Sequence, residues 1–203
     1  MRGLSCLFLI ATVVCGIAAC TSRSANNGAE PATSWSFDDT PVALAPYRDR
    51  AKQGFDAVGK RLIPRLTAAL ASGGAAEAVR VCKDVAQPMT HEARGQVGFP
   101  VGRTSHKLRN PANSAPSWLK ALVYGSAGKK GSDVQPLVFD LGDRVGVASP
   151  IIAAEMCLQC HGSDDQINAE VQQILAAEYP QDAARGFAAG DVRGWFWAEL
   201  PKK

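Results

Sequence analysis

Arg144-Val145-Gly146-Val147-Ala148-Ser149-Pro150-Ile151-Ile152-Ala153-Ala154-Glu155-Met156-Cys157-Leu158-Gln159-Cys160-His161 runs from a β-branched stretch straight into two cysteines and a histidine. Val145 to Ile152 has strand composition, as does Pro136 to Phe139, and Leu141-Gly142-Asp143-Arg144 between them supplies a turn. The pattern predicts a hairpin. Directly after it, C-x-x-C-H offers two thiols spaced to reach both vinyl groups of a haem and an imidazole placed to meet its iron. Half of a zinc site is disfavoured, because His91 and His106 have no partner Cys or His at zinc spacing. A thioredoxin-like pair is disfavoured because no βαβ pattern surrounds the motif. The spacing predicts one covalently bound haem c on Cys157 and Cys160, with His161 on the iron; a reducible disulfide is the main competitor. Gly162 is expected to let the chain turn away from the porphyrin plane.

Working outward, Asp164 or Asp165 can cap a helix from Gln166 to about Glu178 that stops before Pro180. Val192 to Leu200 reads as a strand, unusually aromatic at Trp195-Phe196-Trp197. Upstream, Ser117 to Val123 suits a short helix, and Gly98 to Asn113 has no sustained period and reads as an ordered loop. A helical pattern begins near Ala45, with Ala51, Phe55, Val58, Leu62, Leu66 and Leu70 at three- and four-residue steps and a kink expected at Pro64. Gly73-Gly74 ends it. A second helix from Ala75 to about Ala86 puts Ala78, Val79, Cys82, Val85 and Ala86 on one face, which points Cys82 inward. No internal repeat or heptad is visible. The fold class is α/β in the α+β sense: N-terminal helices packed on an antiparallel sheet.

The first residues read as an export signal: Met1-Arg2-Gly3, an apolar run from Leu4 to Val14, then Ile17-Ala18-Ala19-Cys20. The last four look like a lipobox, so residues 1–19 are expected to be removed and Cys20 to carry lipid, anchoring the protein on the periplasmic side of a bacterial membrane, the outer one favoured. An ordinary signal peptide with Cys20 incidental is the alternative. Residues 20–44, rich in Ser, Asn, Gly, Ala and Pro, read as a disordered tether, and 45–203 as the folded domain. With 22 Lys+Arg against 19 Asp+Glu, charge gives no argument for nucleic acid as a partner.

Cys6 and Cys15 leave with the signal. If Cys20 carries lipid and Cys157 and Cys160 carry haem, Cys82 remains a lone thiol in an oxidising compartment. Candidates for the sixth iron position are Cys82, Met89, His91, His106 and Met156, besides water or an open site; Met156 is too close to Cys157 to reach the opposite face. His or Met is the commoner sixth ligand of an electron-transfer cytochrome, and an inward cysteine is commonly a small core hydrophobe. Spacing alone leaves the choice open.

Four pieces occur in one order: Ala78-Val79-Arg80-Val81-Cys82-Lys83-Asp84-Val85-Ala86, Gly102-Arg103-Thr104-Ser105-His106-Lys107-Leu108-Arg109-Asn110-Pro111-Ala112-Asn113, Cys157 to Gly162, and Gly190-Asp191-Val192-Arg193-Gly194. Together, from about Tyr47 onward, they resemble a bacterial family of unknown physiological function: single c-haem domains with a PAS-like fold, found alone in the periplasm or as sensory inputs of membrane-bound signalling proteins. The resemblance implies a PAS-like sheet and a haem held between His161 and the thiolate of Cys82. The loop carrying Arg103, Arg109 and Asn110 would lie beside it, and the two arginines are natural partners for haem propionates. His106 and His91 are then loop residues. An anionic sulfur ligand favours ferric iron and a low reduction potential, with detachment on reduction or on binding a diatomic gas.

The leading expectation is a redox or gas-responsive haem protein, or a low-potential electron carrier, that reports to a partner and has no substrate chemistry of its own. A haem enzyme of thiosulfate-like sulfur oxidation, using Cys82 as a labile ligand and Arg103, Lys107 or Arg109 for an oxyanion, ranks lower. A plain periplasmic cytochrome shuttle differs from the sensor only in partner and potential.

Overall fold

The computed structural model describes residues 32–203. The proposed signal, lipobox and Cys20 lie outside the described residues.

Leu44 to Phe99 build the helical layer, because their apolar residues recur at helical spacing. α1 (Ala45–Val97) has two arms. The break is at Gly73 (φ −141°, ψ 15°) and Gly74 (φ 66°, ψ −162°), and the second pair of angles is one that only glycine adopts cheaply. The arms lie side by side, Arg61 of the first reaching Glu92 of the second at 3.8 Å. Backbone angles stay helical at Pro64 and leave that region only at the glycines. The second arm runs to Val97, beyond the expected end at Ala86, and continues through Pro88. Its stop is Gly98, left-handed at φ 74°, whose N–H returns to the Arg94 carbonyl.

The sheet is antiparallel throughout, in the order β1-β3-β4-β5-β2. β1 is Ser34–Ser36, β2 Val101–Thr104, β3 Leu137–Asp140, β4 Arg144–Ile152 and β5 Val192–Pro201. β3 and β4 form the expected hairpin, closed by the Leu141 N–H on the Arg144 carbonyl. Both faces of the sheet are covered, which is why its strands are apolar on both sides. Val138, Val145, Val147, Ala198 and Leu200 pack with Ala51, Phe55 and Val58 of α1's first arm. On the other face Phe139, Ala148 and Trp195 pack with Leu119 and Val123 of the segment ending in α2 (Lys120–Gly125). The aromatic run is core: Phe196 stacks on Phe55 at 5.6 Å, and buried Trp195 donates from Nε1 to Ser126 Oγ at 2.9 Å.

Two edge strands correct the sequence reading. Residues 32–44, assigned to the tether, include β1, and Leu44 is 7 % exposed in the core. Within the supposed loop Gly98 to Asn113, Val101 to Thr104 form β2, because they pair with Trp195 to Ala198. Four residues containing a glycine show no periodicity of their own.

The connection between β4 and β5 carries α3 (Leu158–His161) and α4 (Ala169–Glu178). The cap of α4 is Asn168, not Asp164 or Asp165: its Oδ1 accepts the Val171 N–H at 2.8 Å. Ile167, Val171 and Leu175 bury against Ala75, Ala76 and Val79, seating α4 on the glycine end of the α1 hairpin.

Candidate functional site

Between the two arms of α1, the inner ends of β2, β4 and β5, and the Cys157–His161 motif lies a cavity of 480 Å³. That falls in the ~300–1,000 Å³ range of small-molecule and cofactor sites. Leu62, Leu66, Leu70, Ala78 and Val79 give it apolar walls, and Cys82, Cys157, Cys160 and His161 all face it. Met156 also lines it, whereas Met89, His91 and His106 do not. Of the side chains considered for the sixth iron position, Cys82 alone reaches this cavity from the helical wall. A larger hollow of 730 Å³, between the first arm of α1 and the sheet, holds no cysteine or histidine.

His161 is fixed in orientation. Its Nδ1 stands 2.8 Å from the Ala184 carbonyl, so the proton belongs on Nδ1 and Nε2 keeps its lone pair. Backbone bonds from Gly186 N–H to the Gly162 carbonyl and from Phe187 N–H to the His161 carbonyl strap the 184–187 segment to the motif. Burial, then the charges of Arg193 and Arg109, hold the imidazole well below its ordinary pKa, which keeps it neutral. Gly162 has φ −69° and needs no glycine-only angle; what the site lacks is room, since a Cβ there would stand 2.7 Å from the Leu158 carbonyl oxygen.

Cys82, Cys157 and Cys160 are free thiols. Burial pushes the Cys82 thiol up from its ordinary pKa, while Arg103 and then Arg109 pull it down. Cys160 is raised by burial as well, with its Sγ 3.9 Å from the Ala75 carbonyl.

The arginines that line the cavity differ in their partners. Arg109, expected to meet propionates, is committed to protein: it lies 3.2 Å from the Asp182 carboxylate, donates to the Cys160 and Ala184 carbonyls, and its guanidinium covers Tyr179. Asp182, with its side chain 2 % exposed, also receives Arg185 at 3.3 Å and the Ala184 N–H at 2.9 Å. Asn110 lines the cavity, and its Oδ1 accepts the Ala112 N–H at 2.9 Å, shaping the turn. Arg103 faces the cavity with its Nε buried and without a hydrogen bond. Arg193, which sequence reasoning did not single out, does the same; its Nη1 donates to the Lys107 carbonyl at 3.4 Å and its guanidinium lies 5.0 Å from the Phe187 ring. Desolvation, the largest cause, lowers the Arg193 pKa to about 10.

The residues present therefore fit a c-type haem: paired thiols, a neutral imidazole with Nε2 free, a further thiol on the helical wall, an apolar chamber and two guanidiniums whose buried Nε atoms lack partners.

A comparison with known structures finds the cyanobacterial haem-protein Tll0287 at 22 % identity and a TM-score of 0.54, covering 81 % of this chain and 98 % of that one. At that identity the likeness shows a shared fold. No curated protein matches. The family model described as Tll0287-like matches residues 21–201, nearly the whole chain, and the protein belongs to the Tll0287-like family.

Proposed function

We propose that the protein is an exported, lipid-anchored c-type haem protein that works in redox or gas sensing or in low-potential electron transfer. The observation that carries this reading is the meeting of Cys82, Cys157, Cys160 and His161 in one apolar cavity, although 75 residues separate Cys82 from Cys157 in the chain. The haem-protein nature of the Tll0287 neighbour supports it, as does membership of the same family. Cys157 and Cys160 would hold a single haem by thioether bonds, and His161 Nε2 and the Cys82 thiolate would ligate its iron. A bound haem supplies one-electron chemistry and a site for diatomic gases.

The chain's own part is to set the electronic environment. Ala184 orients His161 and raises its basicity through the Nδ1–H bond. Leu62, Leu66, Leu70 and Val79 exclude water, which together with a thiolate ligand favours a low potential. Coordination would deprotonate Cys82 outright, overriding the upward push of burial. The PAS-like character implied by the resemblance is carried in this reading by a five-stranded antiparallel sheet with the cofactor against one face. The anchor rests on Cys20 and its flanking residues; no described helix is long and apolar enough to cross a membrane.

Visible and electron-paramagnetic-resonance spectra of the purified protein and Cys82→Ala, in both oxidation states, test the proposal. A low-spin ferric thiolate signal present in the natural protein and lost in Cys82→Ala is expected. Covalent haem with spectra unchanged by the substitution would refute the axial assignment, and the absence of covalent haem would refute the whole reading.

A further inference from the structure

Among the described residues four cations line the cavity, Arg103, Lys107, Arg109 and Arg193, and no carboxylate does. Two are satisfied within the chain. Arg109 has Asp182, and Lys107 donates to the Arg185 carbonyl at 2.9 Å with its ammonium 5.1 Å from the Phe187 ring. Arg103 and Arg193 are not. Among the described residues the Arg103 guanidinium has no hydrogen bond or ion pair, and Arg193 has one long bond to a carbonyl.

The orphaned atoms cluster. Among the described residues four buried side-chain polar atoms lack a hydrogen-bond partner: Arg103 Nε, Thr104 Oγ1, Arg193 Nε and Arg144 Nε. The last still lies 3.1 Å from the Glu199 carboxylate, so the three atoms with neither a hydrogen bond nor an ion pair all belong to residues of this one wall. A buried charge without a counter-charge is strongly unfavourable, and buried donors are nearly always paired. The placement follows from the sheet: Arg103 and Thr104 are the last residues of β2 and Arg193 is the second residue of β5, held together by the Ser105 hydroxyl donating to the Arg193 carbonyl at 2.7 Å. These donors present a two-cation face to whatever fills the cavity.

Resting on the haem reading above, we propose that Arg103 and Arg193, with the Thr104 hydroxyl, form the clamp that receives the two propionates of the haem, and that Arg109 is not part of it. Two carboxylates against two unpaired guanidiniums balance charge within the wall, and each guanidinium can bind a carboxylate through two parallel N–H donors. The propionates are then buried at the junction of β2 and β5. Arg109 and Asp182 act one step away, holding the Cys160 and Ala184 carbonyls and, through Ala184, positioning His161.

The test uses the covalently loaded full-length protein, so that substitution at the clamp does not release the haem. Resonance Raman spectra report hydrogen bonding of the propionates through their bending bands, and spectroelectrochemistry gives the midpoint potential. Arg103→Leu and Arg193→Leu are each expected to shift a propionate band and to lower the potential, since a nearby cation favours the reduced iron. Arg103→Lys and Arg193→Lys are expected to keep most of the potential while still shifting the band, and they carry the test if the leucine variants fail to accumulate. Arg109→Leu is expected to lower the melting temperature with the propionate bands in place. Unchanged bands in the Arg103 and Arg193 variants, or a shift confined to Arg109→Leu, would overturn the clamp. Failure of the haem reading shows separately, as wild-type protein without covalent haem.

Discussion

Asp182→Asn removes the one carboxylate that neutralises Arg109, and the cost follows from the structure. Asp182 is 2 % exposed and Arg109 13 % at the side chain, 3.2 Å apart, so the pair is buried. Deleting one partner of such a pair costs about 3–5 kcal/mol, because the other charge is left uncompensated. Two features pull the value toward the lower end: Arg109 keeps the Cys160 and Ala184 carbonyls, and the asparagine Oδ1 can still accept the Ala184 N–H. A loss of about 3 kcal/mol is therefore expected. For a domain of this size each kcal/mol moves the melting temperature by about 2–4 °C, giving a fall of about 6–12 °C. Thermal unfolding of the holoprotein followed by circular dichroism measures it. The double variant Asp182→Asn/Arg109→Leu should recover part of the loss, since the uncompensated charge at position 109 is then gone and Arg185 keeps Asp164 at 3.5 Å. A fall of less than about 2 °C, or a double variant less stable than Asp182→Asn by the full cost of a second independent change, would refute the account of a buried charge pair.

Other substitutions probe the frame around the site. Gly194→Ala would drive a Cβ into the Thr104 carbonyl oxygen, a backbone atom that cannot swing away, so β2 and β5 must separate where they carry the arginines. A loss of about 2–3 kcal/mol is expected from denaturant unfolding, and Gly194→Ala as stable as the natural protein would contradict this packing. Asn168→Ala deletes the cap of α4 and should cost about 1 kcal/mol, read as a shift of the urea midpoint at unchanged m-value. Asp191 is held below the ordinary carboxylate pKa, first by the Lys130 ammonium at 2.5 Å and then by the Ala188 N–H. Because its folded-state pKa is depressed, its contribution is present above the unfolded value of about 3.8 and is lost as pH falls through the folded one. Asp191→Asn should lower the melting temperature at pH 7 and flatten its decline below about pH 4; parallel curves for both proteins would exclude the linkage.

Much of the frame was legible as local pattern. The hairpin of β3 and β4 followed from β-branched runs around a turn, the break in α1 from Gly73-Gly74, and the inward face of Cys82 from helical spacing. Periodicity records which side of an element is apolar, and these elements bury one side or both. β1 and β2 left no such mark, since three or four residues at a sheet edge take their conformation from pairing with β3 and β5. The cap of α4 was misplaced by a few residues because Asp164, Asp165 and Asn168 are all competent caps, and the packing of Ile167 and Val171 on α1 sets where the helix begins.

At the site, the sequence by itself placed two thiols and an imidazole at fixed spacing within one turn, because covalent geometry sets their separation. It also placed one further cysteine, Cys82, on the inward face of a helix. Which distant groups share the chamber was decided only by the tertiary structure, since helix packing and strand pairing bring Cys82 and Arg193 to one cavity from opposite ends of the domain. The roles of the arginines were likewise illegible. Arg103, Arg109 and Arg193 carry identical charge, and the two short of partners are distinguished only by where Asp182 lies, 73 residues from Arg109 along the chain.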